Sequence, residues 1–317
     1  MNVTKNRQSN DQIIRMAKAA FPDKRVLEIR ELDDGFCNVT YDVTFEDGSE
    51  SILKIAAVDR SGNTSNEINL MSAETKAMKL VRRQGIVRTA EVQYYDTSRR
   101  ICSSDYFFME KIQGDNYNSV KAQLPEDTVR QINQEIGGIS RRLTEITNRE
   151  FGFLGDSHRF GTLYEFTEQM LKNLLHDAKQ KNVDIVYREE DFLDGMEKDK
   201  NAFEGIMPAT LVHWDMWEGN VFVRDGHVSG IIDWERAMWG EAFMDDRFRY
   251  HSRNSDFLTG FGQTSFTENE MKRIRWYDII LYLTMMIEVY YREYETESQY
   301  FWAKEKLMTV WPEDASF

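Results

Sequence analysis

Apolar and polar positions change their period part-way along this chain, and the change predicts two unlike halves. A first helix starts near Asn10, a plausible cap for the apolar positions Ile13, Ile14 and Ala17. Three short stretches follow, "RVLEIREL", "NVTYDVTF" and "ESILKIA", rich in β-branched and aromatic residues and read as strands. The loop Asp33 to Cys37 separates the first two, and Glu46-Asp47-Gly48 turns the second into the third, which predicts an antiparallel meander. A helix from about Ile68 to Gln84 comes next, then strands at Val92 to Tyr95 and Tyr106 to Lys111. Beyond Gly114 the pattern is mostly helical, with candidates at 126–147, 162–180, 241–252, 268–293 and 297–309. The expectation is an α+β fold with two lobes: residues 1–113 as a small antiparallel sheet with one main helix, and residues 114–317 as a larger helical lobe. A short connection should leave the two facing each other across a cleft.

The one strand-rich interruption of the helical half reads "LVHWDMWEGNVFVRDGHVSGIIDWE", residues 211–235. Asp225-Gly226 is a favourable hairpin turn, and pairing "NVFV" with "HVSGIID" brings Asn220 beside Asp233. Asp215 lies five residues before Asn220, too close in sequence to be carried far away. Two carboxylates and an amide oxygen thus converge, the hard oxygen donors that Mg²⁺ requires. The bland alternative is a polar hairpin in which Asp215 merely caps a turn.

Lys54 sits between Leu53 and Ile55 on the third strand, and alone it reads as a solvated strand lysine. The following helix changes that reading, because Leu70, Met71, Ala77, Met78 and Val81 form an apolar stripe on which Glu74 falls. A carboxylate on a buried stripe needs a partner, and Lys54 is available; at the edge of the stripe Glu74 would reach water instead. Upstream, "DDGFCNVTY" sets Gly35, Phe36, Cys37 and Asn38 between two strands, where backbone amides could cover phosphates, although one glycine is a weak signal. "YFFMEKIQG" ends the sheet, where the Glu110 C=O and Ile112 N–H could meet a purine edge while Phe108 and Met109 enter the core.

Composition narrows the partner. The formal charge of −14 argues against nucleic acid or an anionic membrane and permits a cationic ligand. Two cysteines without paired spacing point to a reducing cytoplasm, and the polar N-terminus and short apolar runs to a soluble protein with no membrane partner. Glu218, Glu235, Glu241 and Asp246 crowd the motif and fit a cationic acceptor, or are simply solvated. Trp214, Trp217, Trp234 and Trp239 could stack on that acceptor or pack between helices, with at least two expected in the core. Oligomeric state leaves no mark in the sequence.

The order "GFCNVTY", Lys54, Glu74, "FFMEKIQG", "LVHWDMWEGN", "GIIDWE", "WGEAFMDD" resembles the aminoglycoside phosphotransferase family, with its choline-kinase-like and fructosamine-kinase relatives of protein-kinase-like fold. The resemblance covers about residues 30–250 and implies a small-molecule kinase using ATP or GTP with Mg²⁺. It implies that Asp215 orients the acceptor hydroxyl and takes its proton, that Asn220 and Asp233 bind Mg²⁺, and that Lys54 and Glu74 hold the phosphates. His213 and Asp245 would brace the catalytic loop. Trp214, Trp217, Glu218 and Glu235 are the candidate acceptor contacts. On this reading Lys54→Ala should weaken phosphate positioning more than folding. Three departures matter: Trp214 replaces a common Gly, "WEGN" with Trp217 is nearer the fructosamine-kinase form, and "GEA" stands for the usual "GDP". The substrate therefore stays open between an antibiotic and a metabolite such as choline or a fructosamine. A nucleotide-binding module without transfer is the alternative of a different class.

Overall fold

In the computed structural model, which describes residues 6–32, 38–58 and 62–311, the chain begins with helix α1 (Asn10–Ala20). Its cap is Ser9, whose hydroxyl accepts from Gln12 N at 3.3 Å, one residue before the expected Asn10. Strands β1 (Val26–Leu32), β2 (Val39–Phe45) and β3 (Glu50–Ile55), helix α2 (Leu70–Gln84), and strands β4 (Val92–Asp96) and β5 (Tyr106–Met109) follow. The five strands form one antiparallel sheet in the order β1-β2-β3-β5-β4, so the expected meander is present.

Side-chain alternation along β3 decides what each residue meets. Leu53 and Ile55 pack on the α1 side with Val39, Tyr41, Val43 and Phe108, whereas Ile52 packs with Met71, Ala77 and Met78 of α2. Lys54 shares the parity of Ile52, so its stem is buried and its ammonium is delivered toward α2.

The remainder carries β6 (Asp115–Asn116), α3 (Tyr117–Val120), α4 (Glu126–Leu143), β7 (Thr147–Asn148), β8 (Gly152–Phe153), α5 (Leu163–Lys181) and α6 (Glu189–Lys198). It continues through β9 (Ala209–Val212), β10 (Val221–Arg224), β11 (His227–Ile231), β12 (Met238–Gly240), α7 (Ser255–Phe261), α8 (Glu268–Tyr291) and α9 (Ser298–Val310). Two small sheets, β11-β10-β6 and β7-β9-β12-β8, lie among these helices. Mixed α+β architecture with a helical second part is therefore what the periodicities predicted. No helix among the described residues is long and apolar enough to cross a membrane.

One expected helix is absent: 241–252 forms successive short turns, 242–244 and 246–248. Its residues Phe243, Met244, Asp245, Arg247, Phe248 and Arg249 are buried without a single stripe, and Asp245 accepts from Arg247 N at 3.4 Å, capping the chain locally against helix. Helices α6 and α7 lay outside the sequence expectation.

Gly155 fixes how α2 is approached. A Cβ there would lie 1.9 Å from the carbonyl oxygen of Ile68, just before α2. Gly155→Ala should push that segment away and cost about 1–3 kcal/mol, as overpacking does. An unchanged urea midpoint in this variant would show that the contact gives way freely.

Candidate active site

The β10–β11 hairpin closes through Asp225 and Gly226, both at positive φ (53° and 81°), the pair of conformations a tight right-twisted hairpin needs. Its register pairs Val221 with Ile231, and Ile232 N donates to Asn220 O at 3.0 Å, which sets Asn220 beside Asp233. Asn220 Nδ2 donates to the backbone oxygen of Asp215 at 2.8 Å and to its Oδ2 at 3.2 Å. The amide carbonyl of Asn220 is thereby left as the oxygen available to another ligand. Asp215, Asn220 and Asp233 are brought together as the spacing predicted.

Lys54 reaches into the same place. Its ammonium lies 2.7 Å from Glu74 Oε2, 2.6 Å from Asp233 Oδ1 and 3.2 Å from Glu235 Oε2. Glu74 is 1% exposed, so the stripe position buries it and the lysine is the partner it needed. Three carboxylates around one ammonium hold Lys54 charged despite its burial; burial, with Asp233 and Glu235 nearby, raises Glu74 above the usual carboxylate range against the pull of Lys54.

Asp215 is raised well above the carboxylate range, first by burial and then by the charges of Asp233, Asp246 and Glu235, with Arg236 opposing. A carboxylate so raised is a stronger base toward a hydroxyl proton. His213 Nδ1 accepts from Asp215 N at 3.3 Å, so its Nε2 carries the proton to the carbonyl oxygen of Ile232 at 2.9 Å. Burial lowers His213 to about 4, which keeps the ring neutral at pH 7. Asp245 Oδ2 accepts from Trp214 N at 3.1 Å, at a residue held at φ 77°. Asp245 and His213 therefore grip two successive backbone N–H groups, those of Trp214 and Asp215.

Burial pushes Asp245 up to about 7. The folded state binds this proton more tightly than the unfolded chain, so the stability tied to it is complete below pH about 4 and is lost as pH rises through about 7. The fall in melting temperature between pH 5 and 8 should be shallower in Asp245→Asn than in the parent. Equal slopes would remove Asp245 as its source.

Several expected acceptor contacts already have partners within the chain. Glu235 accepts from Lys54 and, at 2.7 Å, from Asn38 Nδ2, on the Lys54 side of the site. Glu218 accepts from Lys121 at 2.9 Å and Arg247 at 3.1 Å; burial alone would raise it, but these two cations bring it to about 2. Glu241 accepts from Arg273 and from Tyr277 OH, each at 2.6 Å. Trp214 is 6% exposed and lines a buried crevice of about 30 Å³ with Ile68, Ala73, Met170 and Met238. Trp234 is also buried, so two of the four tryptophans are core, while Trp217 is 37% exposed and lies over Gly219. For the acids the cause is common: each charged side chain near the motif takes the nearest cation, and those cations come from distant segments.

Phe108 and Met109 are buried as expected, Glu110 N donates to Glu91 O at 2.9 Å, and Ile112 packs on Gly230. Gly35, Phe36 and Cys37 lie outside the described residues. Arg247 was missed by the sequence reading: 2% exposed, it donates through Nε to Met216 O at 2.7 Å and so holds the loop between Asp215 and Asn220. Arg236 was missed as well. Its position next to "IIDWE" was the only available hint.

No curated protein matches the sequence. A solved putative fructosamine-3-kinase from Thermobifida fusca is similar in fold, with TM-score 0.69 at 12% identity over 95% of this chain and 99% of the other. A thermostable mutant of aminoglycoside phosphotransferase APH(4)-Ia, solved as a ternary complex with ADP and hygromycin B, superposes with TM-score 0.67 at 14% identity, covering 94% of this chain and 97% of its own. A second mutant of that enzyme, with AMP-PNP and hygromycin B, gives 0.66 at 16% identity, with 94% and 97% covered. These likenesses establish a kinase-like fold. The model of the phosphotransferase enzyme family matches residues 28–245, more than half of the chain, a span that includes Lys54, Glu74, Asp215, Asn220, Asp233 and Asp245. The chain belongs to that family, and it is an enzyme that transfers phosphate to a hydroxyl acceptor.

Proposed function

We propose that this enzyme moves the γ-phosphoryl group of ATP or GTP to a hydroxyl of a small, positively charged molecule. On this reading the nucleotide is held by the part up to residue 113 and the acceptor by the part from 114 onward. The observation that carries it is the meeting of Asp215, Asn220 and Asp233 in one hairpin with the Lys54 to Glu74 pair, 2.7 Å apart. In-line phosphoryl transfer asks a protein mainly for positioning and charge compensation, and those five groups supply both. Solved proteins of this fold with ADP or AMP-PNP beside hygromycin B support a nucleotide and an acceptor bound together.

Asp215 would align the acceptor hydroxyl and take its proton. Lys54, kept charged and oriented by Glu74, would meet the α- and β-phosphates. The Glu110 carbonyl and Ile112 N–H would face the purine, and Asn38 would lie on the phosphate side. A divalent cation such as Mg²⁺ fits the donor set: Glu74, Asp233 and Glu235 present oxygens within 4.8 Å of one another, an excess of negative charge over the one lysine. Asp233 and the Asn220 carbonyl would hold it. When bound, it would neutralise charge on the phosphates.

One observation favours an acceptor of low positive charge, such as an amine-bearing sugar metabolite, over a polycationic antibiotic. Glu218, Glu235 and Glu241 already face Lys121 and Arg247, Lys54, and Arg273. Among the described residues Asp246 has only His251 as its ion-pair partner, at 3.4 Å, so it is the remaining acid for an ammonium group.

The deciding experiment is ADP or GDP release with Mg²⁺ across hygromycin B and other aminoglycosides, choline, fructosamines and simple sugar alcohols. Turnover with one class, abolished in Asp215→Ala, is expected. Nucleotide binding without turnover on any of them would overturn the cationic small-molecule reading.

A further inference from the structure

Four side chains outside the proposed chemistry form a closed ring of alternating charge. Arg236 Nη2 lies 3.0 Å from Glu67 Oε1, and the same guanidinium contacts Glu288. Arg292 Nη1 lies 3.4 Å from Glu288 Oε2, and Arg292 also contacts Glu67. The side chains are 4 to 6% exposed, apart from Arg236 at 18%. Such a ring adds little net stability, because desolvation offsets most of the attraction. It does specify geometry, since Arg236 through Nη2 and Arg292 through Nη1 and Nη2 each bridge the same two carboxylates, which ties the placement of Glu67 to that of Glu288.

The ring joins three segments far apart in sequence. Glu67 lies in the stretch that leads into α2, Arg236 ends the turn that follows Asp233, and Glu288 and Arg292 close the C-terminal end of α8. The stretch before α2 is tied to the second half elsewhere too: Ser65 Oγ donates to Asp177 at 2.6 Å, Asn66 Nδ2 to Met170 O at 3.0 Å, and Asn69 Nδ2 to Gly155 O at 3.0 Å. From within α2, Lys76 donates to Leu154 O at 3.2 Å. Helix α2 thus belongs to the first half by sequence but is anchored to α5, α8 and the β8 region. Glu74 on that helix and Asp233 ahead of Arg236 are two of the carboxylates that flank Lys54.

We infer that the ring of Glu67, Arg236, Glu288 and Arg292 is a clamp that sets Glu74 against Asp233, with α8 as its fixed side. Arg236 and Glu288 are then positioning residues for phosphoryl transfer. Neither touches Lys54; they act through the two segments they hold. The inference rests on the proposed reading of Lys54, Glu74 and Asp233 as the nucleotide site.

The test uses the full chain with Glu288→Gln, which keeps shape and removes one charge, and Arg236→Lys, which keeps charge but draws it back from where Nη2 bridges Glu67 and Glu288. Two readouts are taken: hydrogen exchange of segments 62–75 and 230–240 without nucleotide, and calorimetric affinity for Mg²⁺ with AMP-PNP. Both segments should exchange faster in both variants, and nucleotide affinity should fall about tenfold, the scale typical of supporting partners around a metal site. Arg275→Met is the control, because Arg275 lies on α8 and the change breaks its 2.7 Å pair with Asp199, which follows α6, without touching the ring. It should leave both readouts near the parent.

Parent-like exchange and affinity in both ring variants would overturn the clamp. So would an equal loss in Arg275→Met, which would mark the effect as general destabilisation. If Glu288→Gln does not fold, Arg236→Lys and Glu67→Gln carry the comparison. Failure of the parent to bind AMP-PNP would sink the nucleotide reading, while the exchange data would still decide the clamp.

Discussion

Asp215→Asn should lower kcat by about 10² to 10⁴ while nucleotide affinity and folding stay close to the parent, the range expected when general-base and orientation effects are lost together. The carboxylate is partly buried, raised in proton affinity, and accepts from the Asn220 amide at 3.2 Å, while the backbone N–H of the same residue donates to His213 Nδ1 at 3.3 Å. Asparagine keeps the volume and one accepting oxygen but cannot take a proton. Single-turnover rates at saturating nucleotide isolate the chemical step from product release. Full phosphoryl transfer by Asp215→Asn would remove Asp215 from the mechanism. A loss confined to KM for the acceptor would leave it as a binding residue alone.

Lys54→Met should abolish nucleotide binding and also cost about 3–5 kcal/mol of stability near neutral pH, the scale for removing one partner of a buried ionic group. From the sequence, where Glu74 is the one partner in view, the expectation is that losing Lys54 weakens phosphate positioning more than folding. The structure adds Asp233 and Glu235 at 2.6 and 3.2 Å, so the variant leaves three carboxylates facing one another. Their proton affinities in the folded protein should rise further. By linkage the missing stability returns as pH falls and they take up protons. Urea unfolding at pH 8 and pH 5.5 reads this directly: the gap between parent and variant should narrow at the lower pH. A gap of the same size at both would mean that the acids relax into water once the lysine is gone.

Glu74 and Lys54 illustrate what could be read without coordinates. An acid on an apolar helical stripe and a lysine between two apolar strand residues each break a local rule, and one pairing explains both. The tight Asp225-Gly226 turn likewise dictates a register, and the register brings Asn220 to Asp233. In the first sheet the order β1-β2-β3 follows from short connections, whereas the placing of β5 between β3 and β4 does not. Where the helical period became ambiguous, as in 241–252, the sequence misled, because burial on every side hides the stripe that identifies a helix.

The sequence by itself determined the alternating strands, the amphipathic α2, the hairpin and the oxygen-donor set of the site, since each depends on neighbours within one or two turns of chain. Only the tertiary structure decided which charges are already paired. Glu235 belongs to Lys54 from 181 residues away, Glu218 to Lys121 and Arg247, and Glu67 to Arg292 across 225 residues. Side-chain charge has no period and no local partner preference strong enough to name such contacts. That Asp246 has only a histidine as its ion-pair partner among the described residues, and that Glu67, Arg236, Glu288 and Arg292 close into a ring, therefore emerge only once the chain has closed on itself.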